Sequence, residues 1–184
     1  MQKQSNVMHG VKWGVIIGLV YCLIIYLRYS QGADNFMFFT FFTVAGFLLV
    51  LTLLLISGFQ RRKAAGGFIE LKDIFQTLFV TVLIFELFYV VFDFIYLKSI
   101  DPDFFRKLKD SMERMMEAQG VQDEKVEKQL EKIDTDTRKL QGSHVPINYL
   151  KNVAVMGVFS LIFSLIIRRR RPPFQEENSL QTQP

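Results

Sequence analysis

Residues 74–97 read IFQTLFVTVLIFELFYVVFDFIYL, a hydrophobic stretch that two acidic residues and a few uncharged polar ones interrupt. A helix that crosses the hydrocarbon core of a bilayer needs roughly 20 consecutive, mostly apolar residues. Inside that core the backbone must satisfy its own polar groups, so such a stretch is expected to be helical. It is also too long and too uniformly apolar for the strand of a membrane barrel. It therefore predicts a transmembrane helix.

Three further stretches have the same length and character, and they cover residues 11–29, 36–59 and 149–167. The apolar residues are concentrated in these four stretches, and almost all of the charged residues, with a net charge of +4, lie between them. This segregation excludes a soluble globular domain, a disordered chain and a nucleic-acid-binding module. We expect an all-α membrane protein with four transmembrane helices in contact with lipid, the first three within residues 1–100.

Basic residues near the ends of the spans indicate their orientation. The short connection between the second and third spans contains Arg61, Arg62 and Lys63, and the fourth span is followed by Arg168, Arg169, Arg170 and Arg171. Four crossings place both groups on the same side, which the positive-inside rule assigns to the cytoplasm. We therefore expect both termini to be cytoplasmic, and these arginines and Lys63 to bind anionic lipid headgroups or a docking partner.

Residues 101–146 form the sizeable charged segment, which this topology places outside the membrane. Asp101 and Pro102 indicate a helix start, because Asp is favoured at the N-cap and Pro at the first helical position. Apolar residues then recur at helical spacing on either side of Gly120. We expect an amphipathic helical hairpin whose apolar positions are Phe104, Leu108, Met112 and Met115, then Val126, Leu130 and Ile133.

The hairpin has three interpretations that the sequence leaves open. The two apolar stripes can pack on each other as a solvated cap, or one can dock a partner or a second copy of the chain. The first helix can instead lie in the lipid interface. Residues 147–171 follow as the fourth helix with its polybasic end, and residues 172–184 are expected to be a disordered tail.

Two acidic residues, Glu86 and Asp93, lie seven positions apart in the third span and so share one helix face. An acidic residue at the centre of a bilayer costs roughly 2.5–3.5 kcal/mol, so this face should turn inwards. Arg28 ends the first span at the depth of Asp93, and Lys98 and Lys151 lie at the same level, so any of the three could pair with Asp93. Tyr21 lies at the depth of Glu86, where the sequence offers no cation, so we expect Glu86 to be neutral and hydrogen-bonded. Both acids can stabilise the bundle, relay protons or cations, or contact a polar headgroup.

A stripe of small residues, Gly10, Gly14 and Gly18, runs along the first span. Glycines four residues apart let helix backbones approach closely in a membrane. The stripe predicts a helix-packing face, either within the bundle or against a neighbouring chain.

Motifs for catalysis, cofactors or metals are missing from the sequence. It contains no phosphate-binding loop, dinucleotide fingerprint, serine elbow or HExxH motif. Its one cysteine, Cys22, excludes an intramolecular disulfide and a cysteine-based zinc site. The two histidines, His9 and His144, fall on opposite sides of the membrane in the predicted topology. We therefore expect no enzyme activity, cofactor or metal.

Two segments are similar to motifs of a known protein family. They are GGFIELKD at residues 66–73, and FDFIY at 92–96 continuing to IDPDF at 100–104. With four spans and a charged insert before the last, the chain resembles an uncharacterised family of small bacterial inner-membrane proteins, catalogued as a domain of unknown function. The resemblance covers roughly residues 10–170 and implies a location in the bacterial inner membrane. Family members are often encoded near a family 2 polyprenyl-phosphate glycosyltransferase, which implies an accessory subunit or anchor that docks through residues 61–73.

The expected function is that of a non-catalytic membrane scaffold or accessory subunit. Its partner would be such a glycosyltransferase or a second copy of the chain. The alternative is a small transporter or proton-coupled permease that uses Glu86 and Asp93. The two hypotheses predict different effects of Glu86→Gln, which should abolish a transport flux only if the protein is a permease.

Overall fold

In the computed structural model, which describes residues 2–120, 131 and 145–169, the chain folds into five α-helices. They are α1 (Gln2–Gly32), α2 (Phe36–Ala64), α3 (Leu71–Ile95), α4 (Phe104–Ala118) and α5 (Val145–Ile167). A short π-helix, Tyr96–Ile100, continues α3 towards α4. Among the predicted elements, the second helix of the hairpin with Val126, Leu130 and Ile133, the arginines Arg170 and Arg171, and the tail 172–184 lie outside the described residues.

Four of the helices are long and apolar enough to cross a membrane. These segments are Ser5–Gly32, Phe36–Ala64, Leu71–Ile100 and Val145–Ile167. Their length and composition confirm the predicted all-α class with four long hydrophobic helices, and they indicate a multi-pass membrane protein. Each segment extends past the apolar stretch at one end or both, because a helix continues into polar sequence where its backbone hydrogen bonds are maintained.

The ends of α2 show how the sequence sets the helix boundaries. The side chain of Asn35 accepts hydrogen bonds from the N–H groups of Met37 and Phe38, at 3.0 and 3.4 Å, and so caps the first turn. At the other end Gly66 and Gly67 have φ values of 78° and 87°, a conformation that favours glycine. The Gly-Gly pair therefore ends α2 and turns the chain towards α3.

The α2–α3 loop is attached to the end of α5 by backbone pairing. The N–H of Ile69 donates to the carbonyl of Arg169 at 3.0 Å, and the N–H of Arg169 donates back to Ile69 at 3.2 Å. We call this end of the molecule the loop end, and the opposite end, where α4 lies, the α4 end.

The other three long helices, α1, α2 and α5, all contact α3. The main core cluster lies between these helices and includes Ile17, Leu54, Leu78, Val82 and Phe85. A second cluster lies at the α4 end, where Phe104 and Leu108 of α4 join residues of α1 and the π-helix. The apolar face of the amphipathic helix α4 is therefore buried against the bundle.

The connection from the π-helix to α4 differs in detail from the predicted helix start. The helix begins at Phe104, and Asp103, the residue before it, makes no side-chain capping hydrogen bond. The side chain of Asp101 instead binds Lys107, whose Nζ lies 2.9 Å from one carboxylate oxygen and 3.0 Å from the other. This hydrogen bond to Asp101 raises the pKa of Lys107.

Candidate functional site

The glycine stripe of α1 lies directly against α3. A Cβ atom added to Gly10 would lie 2.7 Å from the Thr77 carbonyl oxygen, and one added to Gly18 would lie 2.8 Å from Phe88 Cγ. The sequence left open whether this stripe packs within the bundle or on a neighbouring chain. In the structure it is occupied by α3 of the same chain.

A hydrogen bond to backbone accompanies this close packing. Thr81 is fully buried on α3, and its hydroxyl lies 3.2 Å from the carbonyl oxygen of Gly10 and 3.0 Å from that of Thr77. Glycine at position 10 exposes its carbonyl to α3, so the same small residue permits both the packing and the contact.

At the α4 end, Arg28 of α1 and Asp93 of α3 are brought together, with Tyr29 between them. The Tyr29 hydroxyl accepts a hydrogen bond from Arg28 Nη2 at 2.8 Å and donates one to Asp93 Oδ1. Arg28 Nη2 itself lies 3.9 Å from Asp93 Oδ1. We call these three residues the outer polar cluster. The sequence indicated the two charges by their matching depth, but not the tyrosine that links them.

The guanidinium of Arg28 is enclosed by aromatic rings. It lies 4.6 Å from the ring centre of Tyr29 and 5.2 Å from that of Phe39, and it also hydrogen-bonds to Tyr89. Its Nε is buried and has no hydrogen-bond partner among the described residues. Cation–π contacts stabilise a desolvated guanidinium, so the rings compensate in part for the loss of water.

Glu86 lies near the middle of the long α3 segment and does not share the partners of Asp93. It is 5% exposed, and its Oε2 is buried without a hydrogen-bond partner in the part of the chain that the structure describes. The hydrogen-bonding side chain that faces it is Asn152 of α5. Asn152 could not be predicted from the sequence as the neighbour of Glu86, because an amide in an apolar helix does not specify which helix it faces.

Tyr21, which the sequence places at the same membrane depth as Glu86, lies near Glu86 in the bundle. Its ring packs on Phe85 at 6.4 Å and on Tyr89 at 5.5 Å between ring centres. From α5, Tyr149 also lies near Glu86, but its hydroxyl donates to the carbonyl of Leu83 at 3.1 Å. The surroundings of Glu86 are therefore aromatic and hydroxyl-bearing rather than cationic.

At the loop end, Arg61 takes part in a buried network instead of facing outwards. Its Nε donates to the side-chain oxygen of Asn6 at 2.8 Å, and the Asn6 amide donates to Asp73 at 2.9 Å. Asn6 is fully buried, and Arg61 is 5% exposed. These three residues, the inner polar cluster, join the ends of α1, α2 and α3. The guanidinium of Arg61, which the sequence offers to a headgroup or partner, is hydrogen-bonded to Asn6 in this arrangement.

The other basic residues at the loop end form a rim around this cluster. Arg62 donates to the Ile167 carbonyl at 3.3 Å. Arg169 lies over the ring of Phe68 at 5.7 Å and is exposed, as are Lys63 and Arg168. We call Arg62, Lys63, Arg168 and Arg169 the basic rim. Its position beside the ends of α2 and α5 leaves three of its side chains open to headgroups or a partner.

The predicted apolar stripe of α4 faces the bundle. Phe104, Leu108 and Met112 are all buried, and Phe104 packs edge-on against Tyr29 with 4.6 Å between ring centres. Ser111 of α4 accepts a hydrogen bond from the backbone N–H of Phe36 at 2.9 Å. Met115 is half-buried at the edge of the stripe. The first three side chains are thus unavailable for docking in this arrangement, because α1 and α2 cover them at the α4 end.

Within the described ranges, no group of three or more His, Cys, Asp or Glu side chains is placed to hold a metal ion. Among the described residues, the buried side chains of charged type are Arg28 and Asp93 at the α4 end, Arg61 at the loop end and Glu86 between them.

Comparison with known proteins gives one match. The family described as "Protein of unknown function (DUF4199)" matches residues 12–169. No curated protein and no solved structure matches the chain.

Proposed function

The chain belongs to the DUF4199 family of proteins of unknown function, and we propose that it is a non-catalytic integral membrane scaffold or accessory subunit. The observation that carries this proposal is the joining of α1 to α3. The glycine stripe brings the two backbones into contact, and a polar cluster links the helices at each end. A helix pair joined along its length is suited to hold a fixed surface for a partner, rather than to move in a transport cycle.

The proposed topology places the loop end in the cytoplasm of a bacterium, with four crossings of the inner membrane. It is supported by the basic rim, because Lys and Arg are retained on the cytoplasmic side of inner-membrane proteins. The same rule puts α4 and both of its flanking segments on the outer side. Both termini are then cytoplasmic.

The proposed contact surface is the basic rim with the α2–α3 loop. Lys63, Arg168 and Arg169 are exposed there, and the pairing of Ile69 with Arg169 keeps the loop beside the end of α5. Basic residues near a membrane surface attract anionic lipids at about 1 kcal/mol each. The proposed partner is a family 2 glycosyltransferase acting on polyprenyl phosphate, or a second copy of the chain; the resemblance noted above supports the first.

The proposal is tested by purifying the tagged chain in a gentle detergent with the genomic copy of that glycosyltransferase carrying a second tag. We expect the two tags to co-elute, or the chain to elute as an oligomer. The charge reversals Lys63→Glu and Arg168→Glu together should reduce the complex, whereas Arg106→Glu and Arg114→Glu at the α4 end should leave it unchanged. Recovery of a monomer alone, with no glycosyltransferase, contradicts the proposal.

A second candidate function is a small proton-coupled transporter, and the observation that favours it is the unpartnered oxygen of Glu86. Acidic groups inside membranes often mark proton or ion pathways. The test is proton flux into vesicles that contain the purified chain and a pH-sensitive dye, under an imposed gradient. This candidate requires that Glu86→Gln abolishes the flux without changing the elution of the protein. A wild-type flux equal to that of empty vesicles removes it.

A further inference from the structure

We propose that Glu86 and Asn152 form a proton-binding site, in which the carboxyl of Glu86 is a neutral acid that pairs with the Asn152 amide and holds α5 on α3. The ligand is a proton, and loss of that proton is expected to separate the two helices. The inference concerns the charge state of Glu86, so it holds for a scaffold as well as for a transporter.

The first step is the burial of Glu86. The residue is 5% exposed near the middle of a segment, Leu71–Ile100, that is long enough to cross the membrane. An ionised carboxyl in such a position requires a cation or several hydrogen-bond donors to replace its water. The question is therefore which groups face Glu86 from the helices packed around α3.

The second step is the set of ionisable groups that face Glu86. From α1 the neighbour is Tyr21, and from α5 it is Tyr149, whose hydroxyl is bonded to the Leu83 carbonyl. The α2 sequence has no ionisable residue between Phe36 and Gln60. The cation on the neighbouring part of α1, Arg28, is bonded to Tyr29 in the outer polar cluster. Among the described residues, therefore, no free cation compensates an ionised Glu86.

The third step is the match between an acid and an amide. A neutral carboxylic acid has one O–H donor and one carbonyl acceptor, and an asparagine side chain has an N–H donor and a carbonyl acceptor. The two can therefore exchange two hydrogen bonds. In the structure Asn152 faces Glu86, and Oε2 has no partner, which makes Oε2 the oxygen that would carry the proton.

An ionised carboxyl fits the same position poorly. It could accept one hydrogen bond from the Asn152 amide, but Oε2 would remain buried, charged and without a donor. Removing the proton thus converts an attractive contact between α3 and α5 into an uncompensated charge. The expected response is that water enters between Glu86 and the outer part of α5.

The test is infrared spectroscopy of the full chain in lipid vesicles, by comparison of wild type with Glu86→Gln at neutral pH. The wild-type spectrum should contain a carboxylic acid C=O band, above the amide bands, that the variant lacks. Identical spectra in this region would show that Glu86 is ionised and would overturn the proposal. The elution volumes of the two proteins establish that both are folded.

Asn152→Leu is the second variant, because it keeps the carboxyl of Glu86 and replaces the amide by an apolar side chain with the same branching. The acid band should then move to higher frequency, as expected for a carboxyl that has lost a hydrogen bond. A band at the wild-type frequency would overturn the pairing. Asp73→Asn is the matched control, since Asp73 lies at the loop end, and it should leave the band unchanged.

Discussion

Gly14 of α1 lies so close to Ile84 of α3 that a Cβ atom at position 14 would be 2.6 Å from the Ile84 Cβ. Real Cβ atoms essentially never approach other heavy atoms to this distance, so position 14 has room for glycine alone. Similar distances at Gly10 and Gly18 extend the contact over about two turns. The backbones of α1 and α3 are therefore in close contact along the glycine stripe.

The first prediction is that Gly14→Ala destabilises the protein by about 1–3 kcal/mol, the usual cost of overpacking a core. The added methyl must displace Ile84 or separate the helices. The measurement is the free energy of unfolding in mixed detergent micelles. The control is Gly157→Ala on α5, where the added Cβ would lie at an ordinary 3.4 Å from Phe79. Equal stability of the two variants would contradict the close contact of α1 and α3.

The second prediction concerns the inner polar cluster. Arg61→Gln is expected to lower the free energy of unfolding by about 1.5–3 kcal/mol, because it removes charge-assisted hydrogen bonds to the buried Asn6. Lys63→Gln, two residues away on the exposed surface, should change it by less than about 0.5 kcal/mol. The same unfolding assay measures both. A larger loss of unfolding free energy in Lys63→Gln than in Arg61→Gln would contradict the role of Arg61 in the inner polar cluster.

The third prediction is that Arg28 and Asp93 are energetically coupled. Asp93→Leu alone leaves a buried cation without its counter-charge and should cost about 3–5 kcal/mol. Arg28→Leu with Asp93→Leu should cost less than the sum of the single changes, and coupling within such networks is typically about 0.5–3 kcal/mol. A double-mutant cycle on unfolding gives the coupling energy. Strict additivity would mean that Tyr29 does not connect the two charges.

The fourth prediction tests the docking of α4. Phe104→Ala removes a fully buried ring and should cost about 3–5 kcal/mol. Ser111→Ala removes the acceptor of the Phe36 N–H and should cost about 1–3 kcal/mol, provided that no water replaces it. Protease cleavage within α4 should increase in both variants. Arg106→Ala is the control, because its ion pair with Asp103 is exposed on both sides and contributes little. Cleavage that is the same in all three variants would show that α4 is not held on the bundle.

The sequence predicted the four long helices correctly because their length and apolar composition are decisive for a membrane segment. The stretch at residues 74–97 could be predicted as a membrane segment without information about the helices that pack against it. Depth also indicated that Arg28 and Asp93 could meet, since both lie near the same end of their helices. The family resemblance is confirmed by the match over residues 12–169.

The rest depended on which helices pack together, which composition does not specify. Asn6 and Asn152 are neutral amides, and their positions in the sequence do not identify Arg61 and Glu86 as their partners. The apolar stripe of α4 was recognised from its period, but that period does not reveal whether the stripe packs on lipid, a second helix or the bundle. The hydrogen bonds of Tyr29 to Arg28 and Asp93 could not be predicted for a similar reason, since an aromatic residue in a span usually packs on lipid or on other side chains.

The central claim, that four helices cross the membrane with the loop end inside and α4 outside, is tested most directly by cysteine labelling. In a Cys22→Ser background, Glu113→Cys on the exposed face of α4 and Lys63→Cys at the loop end would each supply a single thiol. A membrane-impermeant maleimide applied to intact spheroplasts should label position 113, and should label position 63 only after the membrane is permeabilised. Labelling of position 63 in intact spheroplasts, or failure to label position 113 until permeabilisation, would contradict the account.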